Sequence, residues 1–415
     1  MKTIKILAAT SLSALILVFS CKTSKTQMKE KSVEPTETAT SGNISENNNL
    51  FALELYKNIG MKQANLFYSP YSISTALAMT FTGAHGKTES QMRTVMHFET
   101  NGATFYEKYH KLINEINAIN DGKTINIYTA NSIWAQKDFK LLSSFTDVLK
   151  NSYNTTAYNV DFVKQPEPSR LEINKWVEQQ TNEKIKDLIQ PGLIDYLTRL
   201  VLVNAIYFKA NWEVAFDEKE TRQMTFRPDE TSEVSCDFMF AEKDFKFYEQ
   251  EDGLKAIEIP YSQGKMSMLI ILPGNNNGFD LLKKNMDMSF YNTINKSLST
   301  TKVKLYLPKF KFTSDFELSD ILVQMGMTDA FFDRADFSGM TGKKDLKISK
   351  VIHKAFVEVN ESGTEAAAAT AVVMRIKSMP VKQPEFRADH PFMFIIKENT
   401  NNGILFAGDV YDPTK

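Results

Sequence analysis

Apolar residues recur at helical spacing over positions 50–59 and predict the first helix of a folded body. Ser69-Pro70-Tyr71-Ser72 then opens a second helix over 73–81, since a serine side chain can cap the free amides of a helix start and proline fits the first turn. Helical patterning continues to about residue 189, broken by one strand-like run at 126–135. Beyond residue 200 the chain changes to strand-like runs at 200–209, 256–260, 266–272, 302–307, 351–359 and 391–396. Helices first and strands afterwards, with no linker and no internal repeat, predict one α+β domain over 50–415 on large antiparallel or mixed sheets.

The first 49 residues lie outside that pattern. Lys2 and Lys5 bracket the start of an uncharged run, 6–20, that is too short to span a bilayer comfortably, so 1–20 reads as a secretory signal peptide. Ser20 directly before Cys21 resembles the lipobox of bacterial lipoproteins, which implies that Cys21 is diacylated and becomes the new N-terminus. Positions 22–49, rich in Lys, Ser, Thr, Glu and Asn, read as a flexible tether that holds the body clear of the membrane. The chain is therefore expected to be exported and lipid-anchored in a bacterial cell envelope. The outer membrane is the expected site, since no acidic residue just after Cys21 argues for inner-membrane retention.

Composition narrows the function. The 415 residues are 42% hydrophobic and 24% charged with a net charge of −1, so the overall balance attracts neither nucleic acid nor an anionic membrane surface. Cys236 is alone in the mature chain, which leaves no intramolecular disulfide once Cys21 is acylated. It sits in Glu-Val-Ser-Cys-Asp-Phe, a strand-like context that does not mark a nucleophile. The sequence carries no GxSxG, GxxxxGK[ST], HExxH or paired CxxC, and its histidines, at 85, 97, 110, 353 and 390, have no metal-ligand spacing. No cofactor or metal is expected.

Several stretches then resemble one family. Phe386-Arg387-Ala388-Asp389-His390-Pro391-Phe392-Met393-Phe394-Ile395-Ile396 is similar to the signature of the serpins, suicide inhibitors of proteases, and Gly403-Ile404-Leu405-Phe406-Ala407-Gly408-Asp409-Val410 to their final strand pair. Asn65-Leu66-Phe67-Tyr68-Ser69-Pro70-Tyr71-Ser72-Ile73, Leu202-Val203-Asn204-Ala205-Ile206-Tyr207-Phe208-Lys209-Ala210-Asn211-Trp212 and Asp336-Phe337-Ser338-Gly339-Met340 resemble three further hallmarks. The matches run in family order from about residue 50 to the end.

The resemblance implies a serpin fold with a reactive-centre loop over about 361–385, exposed in a metastable state. In the family's own mechanism, a protease cleaves the loop and, still joined to it as an acyl-enzyme, is carried away and trapped as the loop inserts into the main sheet. Glu361, Gly363, Thr364, Glu365, Ala366, Ala367, Ala368, Ala369 and Thr370 fit the inhibitory hinge pattern, and no proline occurs from 363 to 379. Small side chains pass through a narrow gap between strands, and proline would interrupt the new hydrogen-bond ladder. Strand parity agrees: if Thr364 points into the core, so do Ala366, Ala368, Thr370, Val372, Met374 and Ile376, whereas the charged Glu365, Arg375 and Lys377 fall on the other side.

Family spacing puts the scissile bond at Lys377-Ser378, and a lysine there suits the acidic specificity pocket of trypsin-like serine proteases, with cysteine proteases as a further target class. Ser69, Ser72, Asn204 and His353 match the polar cluster called the shutter, which makes His353 a gating residue and not a general base. Lys309, Glu361 and Trp212 match the breach where insertion starts, and an ion pair there would hold the loop out. The expected partners are target proteases held in a covalent complex by a monomeric inhibitor, and the membrane through the lipid anchor; no nucleic acid is expected. Two rivals stay open. One is a noninhibitory serpin acting as a binding or chaperone-like module, and the other an enzyme, which would turn over an exogenous ester or peptide.

Overall fold

The structure, a computed structural model, describes residues 44–59, 64–99, 101–364 and 383–415. The helices that matter to the site are α1 (Ile44–Ile59), α2 (Pro70–Phe81), α3 (Gly86–Val95), α4 (Ala103–Asn117), α5 (Ser143–Tyr153) and α6 (Pro166–Gln180). The strands are β1 (Leu66–Tyr68), β2 (Ile125–Gln136), β3 (Ala157–Val160), β4 (Leu200–Asn211), β5 (Arg222–Phe226), β6 (Val234–Glu249), β7 (Lys255–Pro260), β8 (Met266–Leu272), β9 (Ser299–Pro308), β10 (Phe310–Glu317), β11 (Lys350–Asn360), β12 (Gly363–Thr364), β13 (Glu385–Arg387), β14 (Phe392–Glu398) and β15 (Ile404–Val410). Each strand-like run of the sequence lies on one of these. Among the described residues, no helix is long and apolar enough to cross a membrane.

Two boundaries differ from the sequence reading. Helix α1 starts at Ile44, so residues 44–49, assigned above to the tether, belong to the folded body. Their asparagines read as solvated but find tertiary partners: Asn49 Nδ2 donates to Asn402 O at 2.9 Å, and its Oδ1 accepts from Ile404 N at 2.7 Å. At the other end of the helical region α6 stops at Gln180, not near 189. Ile185, Leu188 and Ile189 keep helical spacing because they pack on a sheet, while Asn182, Glu183 and Asp187 adopt positive φ. The expected cap is present, with Ser69 Oγ accepting from Ser72 N and Pro70 opening α2.

Both sheets are mixed, each joining antiparallel pairs to at least one parallel pair. The first has the order β10-β11-β12-β4-β2-β3, with β11 also pairing directly with β4. The second runs β1-β15-β14-β8-β7-β6-β9-β13, with β5 paired to β6. Strand β4 is buried nearly throughout because both faces are covered, which is why its sequence, Leu-Val-Leu-Val-Asn-Ala-Ile-Tyr-Phe, does not alternate. Val201, Val203, Ala205 and Tyr207 pack towards α6 with Ile173 and Val177. Ile206, Phe208 and Ala210 face the second sheet, against residues such as Phe238 and Phe406. Leu200 and Leu202 join the core beneath α1, α2, α4 and α5.

Candidate functional site

The site is a gap that has begun to open between two strands. Strands β4 and β11 run parallel and pair directly over 201–207 and 350–356, so the lower part of the sheet is closed. At their far end Gly363 and Thr364 lie between them, antiparallel to both: Thr364 is opposite Ala210 on β4 and Val359 on β11. Gly363 is required there. Its φ is +154°, and a Cβ would lie 2.1 Å from Ala210 O and 2.6 Å from Asn211 Cα, an overlap with backbone that no rotamer relieves. Thr364 is fully buried, its hydroxyl 2.7 Å from the Tyr261 hydroxyl.

The residues expected at the breach converge on the turn between β11 and β12. Lys309 Nζ is 3.1 Å from Glu361 Oε2, and Thr221 Oγ1 donates to Glu361 Oε1 at 2.7 Å. Burial pushes the Glu361 carboxyl up, but hydrogen bonds from Thr221, its own backbone and Lys309 outweigh that and hold it below the usual range, so it stays ionised. Trp212 Nε1 donates to Asn360 O at 3.0 Å, and its ring stacks on Tyr261 at 4.7 Å and 8°. The backbone N–H groups of Trp212 and Phe216 close the turn onto Ser362 O and Glu361 O. The ion pair therefore fixes the turn from which Gly363 and Thr364 enter the sheet.

Lower in the sheet, the four shutter residues form one connected network. Ser69 N donates to His353 Nε2 at 3.2 Å, and Ser69 Oγ donates to Leu405 O at 2.7 Å. With Nε2 accepting, the ring proton sits on Nδ1 and faces Asn204 Oδ1. Asn204 Nδ2 donates to Ser72 Oγ and to Asn131 Oδ1. His353 is fully buried, and burial lowers its pKa to about 3, so the imidazole is neutral. A neutral ring with both nitrogens occupied is a structural tie across β4 and β11, not a general base.

Three members of the site are absent from the sequence reading. Asn131 lies opposite Asn204 in the β2–β4 register and completes the shutter; the signal is that both interrupt apolar strand runs with an amide. Tyr261 and Thr221 reach the breach from loops distant in sequence, and no local pattern marks them. Glu365, Ala366, Ala367, Ala368, Ala369, Thr370, Lys377, Ser378 and Cys21 lie outside the described residues. The far end of the loop returns as β13, which pairs parallel with β9, while Pro384 O accepts from Lys304 N at 3.0 Å. Cys236 is buried on β6, and burial pushes its thiol up to about 12, which leaves no thiolate at neutral pH.

Comparison with known proteins agrees with this architecture. A family model described as Serpin (serine protease inhibitor) matches residues 46–413. Serpin B3 of Homo sapiens is 40% identical over 389 residues, covering 89% of this chain and 99% of its own length. The leukocyte elastase inhibitor of Xenopus laevis is 39% identical over 371 residues, covering 88% and 97%. The crystal structure of uncleaved ovalbumin superposes with a TM-score of 0.81 at 30% identity, covering 90% of this chain and 100% of that one.

Proposed function

The chain belongs to the serpin family, and from that premise we propose that it is a suicide inhibitor of serine proteases that traps the acyl-enzyme by inserting its cleaved loop between β4 and β11. The observation that carries this reading is the strand already begun at Gly363 and Thr364. Its register defines where a longer insert would go. Ala366 would lie between Phe208 and Val357, Ala368 between Ile206 and Ala355, Thr370 between Asn204 and His353, and Val372 between Leu202 and Val351. All eight partners are buried, and the only polar insert among the four meets the only polar pair. On the opposite face Ala367, Ala369 and Ala371 would come beneath α6, where Tyr207, Ala205 and Val203 pack with Ile173 and Val177. Alanine suits that side because the sheet is covered there already.

Insertion would exchange the parallel β4–β11 pairing for two antiparallel ladders, with a net gain of about 1 kcal/mol for each added hydrogen bond. The chemistry before it is ordinary proteolysis. The Lys377–Ser378 amide breaks, an ester forms between the Lys377 carbonyl and the protease serine, and Ser378 departs as a free amine. Lys377 favours trypsin-like enzymes, with cysteine proteases as a second class forming a thioester. The inhibitor is not an enzyme in this scheme, since each molecule is consumed by one protease. Export and acylation of Cys21 would present it at a bacterial envelope, with residues 22–43 as the tether.

Incubation with trypsin followed by denaturing electrophoresis tests the reading. A complex that survives boiling in SDS, with cleavage after Lys377, is the expected result. Clean cleavage there without a complex would sink the inhibitory proposal and leave a noninhibitory serpin; turnover of a small ester by the chain itself would point to an enzyme.

A further inference from the structure

The loop joining β7 and β8, residues 261–265, belongs to the second sheet but spends its side chains on the first. Tyr261 meets Thr364 on β12 at 2.7 Å. Ser262 Oγ donates to Trp212 O, just past the end of β4, at 3.2 Å. Gln263 Nε2 donates to Asp121 Oδ2 at 2.6 Å, and Asp121 Oδ1 in turn accepts the backbone N–H groups of Lys123, Thr124 and Ile125 where β2 begins. Three consecutive residues thus hold three neighbouring strand ends at the place where the gap opens.

Two features separate this from incidental packing. Gln263 has φ +69°, a conformation that residues other than glycine rarely adopt, and it is the residue whose side chain spans to Asp121. Tyr261 is fully buried, with its ring stacked on Trp212 at 4.7 Å and edge-on to Phe208 at 5.4 Å. The ring is therefore fixed from two sides, which aims its hydroxyl at the only hinge side chain inside the sheet among the described residues.

We propose that this turn is a clasp in which Tyr261 is a positioning residue: its hydroxyl holds Thr364 docked, so that insertion starts from a strand already begun instead of from a free loop. The geometry of the clasp stands alone, but its consequence for trapping rests on the inhibitory reading. Without the Tyr261 hydroxyl, Thr364 would keep a buried hydroxyl lacking this partner, and the undocked hinge would gain population. A slower start to insertion gives the protease more time to hydrolyse its ester and leave.

Hydrogen exchange at the Gly363 and Thr364 amides reads docking without any protease. In full-length Tyr261→Phe, which keeps the ring and its stacking, exchange at these two amides should rise roughly five- to tenfold, while amides that open independently of the hinge keep their wild-type rates. Thr364→Val should do the same from the other side of the bond. The double variant, with neither hydroxyl left alone, should return towards wild type. Against trypsin, the ratio of cleaved to trapped inhibitor should rise by a similar factor while the rate of attack on the loop stays unchanged. Exchange at 363 and 364 that is unaltered in Tyr261→Phe, or raised evenly over the whole chain, overturns the clasp. Clean cleavage of the wild-type chain by trypsin without a complex, with the exchange effect present, overturns the inhibitory reading and leaves the clasp standing.

Discussion

Replacing Thr364 by arginine separates insertion from recognition. The wild-type side chain has no exposed surface, lies between Ala210 and Val359, and shares a hydrogen bond with Tyr261. An arginine there would bury a guanidinium with no carboxylate opposite, at about 3–5 kcal/mol, and would lose the Tyr261 hydrogen bond, worth about 1 kcal/mol. If half of that sum is felt in the transition state for insertion, about 2–3 kcal/mol, insertion slows roughly 30- to 150-fold. Attack at Lys377 is far along the loop and keeps its rate, so the ester would be hydrolysed before the strand forms. Titration of trypsin with Thr364→Arg, scored as inhibitor consumed per protease inactivated, should show a substrate and not a trap. A stoichiometry matching wild type would refute the reasoning, because the hinge would then not need to pass through the buried position.

Three further outcomes follow from the same geometry. His353 titrates near 3 when folded and near 6.5 when unfolded, so the unfolded chain binds the extra proton between those values; stability should fall as pH drops through that window, by at most about 1.4 kcal/mol per unit from this group. Denaturation measured from pH 7 to 4 should show one proton less linked to unfolding in His353→Gln, and an equal slope would contradict a buried neutral imidazole. Glu258, on β7, lies 2.8 Å from both Lys397 and Lys246, with the side chains of Glu258 and Lys397 only 5% and 3% exposed. Glu258→Ala should therefore cost about 3–5 kcal/mol in chemical denaturation, whereas Glu258→Gln with Lys397→Met should cost much less; equal losses would show that packing, not charge, dominates. Cys21→Ser should move the exported chain from the detergent phase to the aqueous phase, and unchanged partitioning would exclude the lipid anchor.

Local physics explains what was legible in the linear chain and what was not. Strand runs such as 200–209 and 351–359 were readable because β-branched and aromatic residues concentrate in strands. The Ser69 cap needs only residues three positions apart. Helix α1 began earlier than its apolar spacing implied, since Asn48 and Asn49 are buried where they bond Asn402 and Ile404, more than 350 residues away. The run 185–189 kept helical spacing without being a helix because its apolar side chains answer to a sheet face.

The linear chain sets the parity of the hinge, since alternation along an extended segment is a property of the backbone and needs no partner. It also determined the composition of that segment: small residues without proline, ending in Lys377-Ser378. Register and packing alone set Gly363 and Thr364 between β4 and β11, fixed the turn before them through Glu361 and Lys309, and brought Tyr261, Thr221 and Asn131 to the site. These facts depend on register and on side chains from distant strands meeting across a gap. Such meetings are set by the packing of two sheets and leave no periodic mark on the chain.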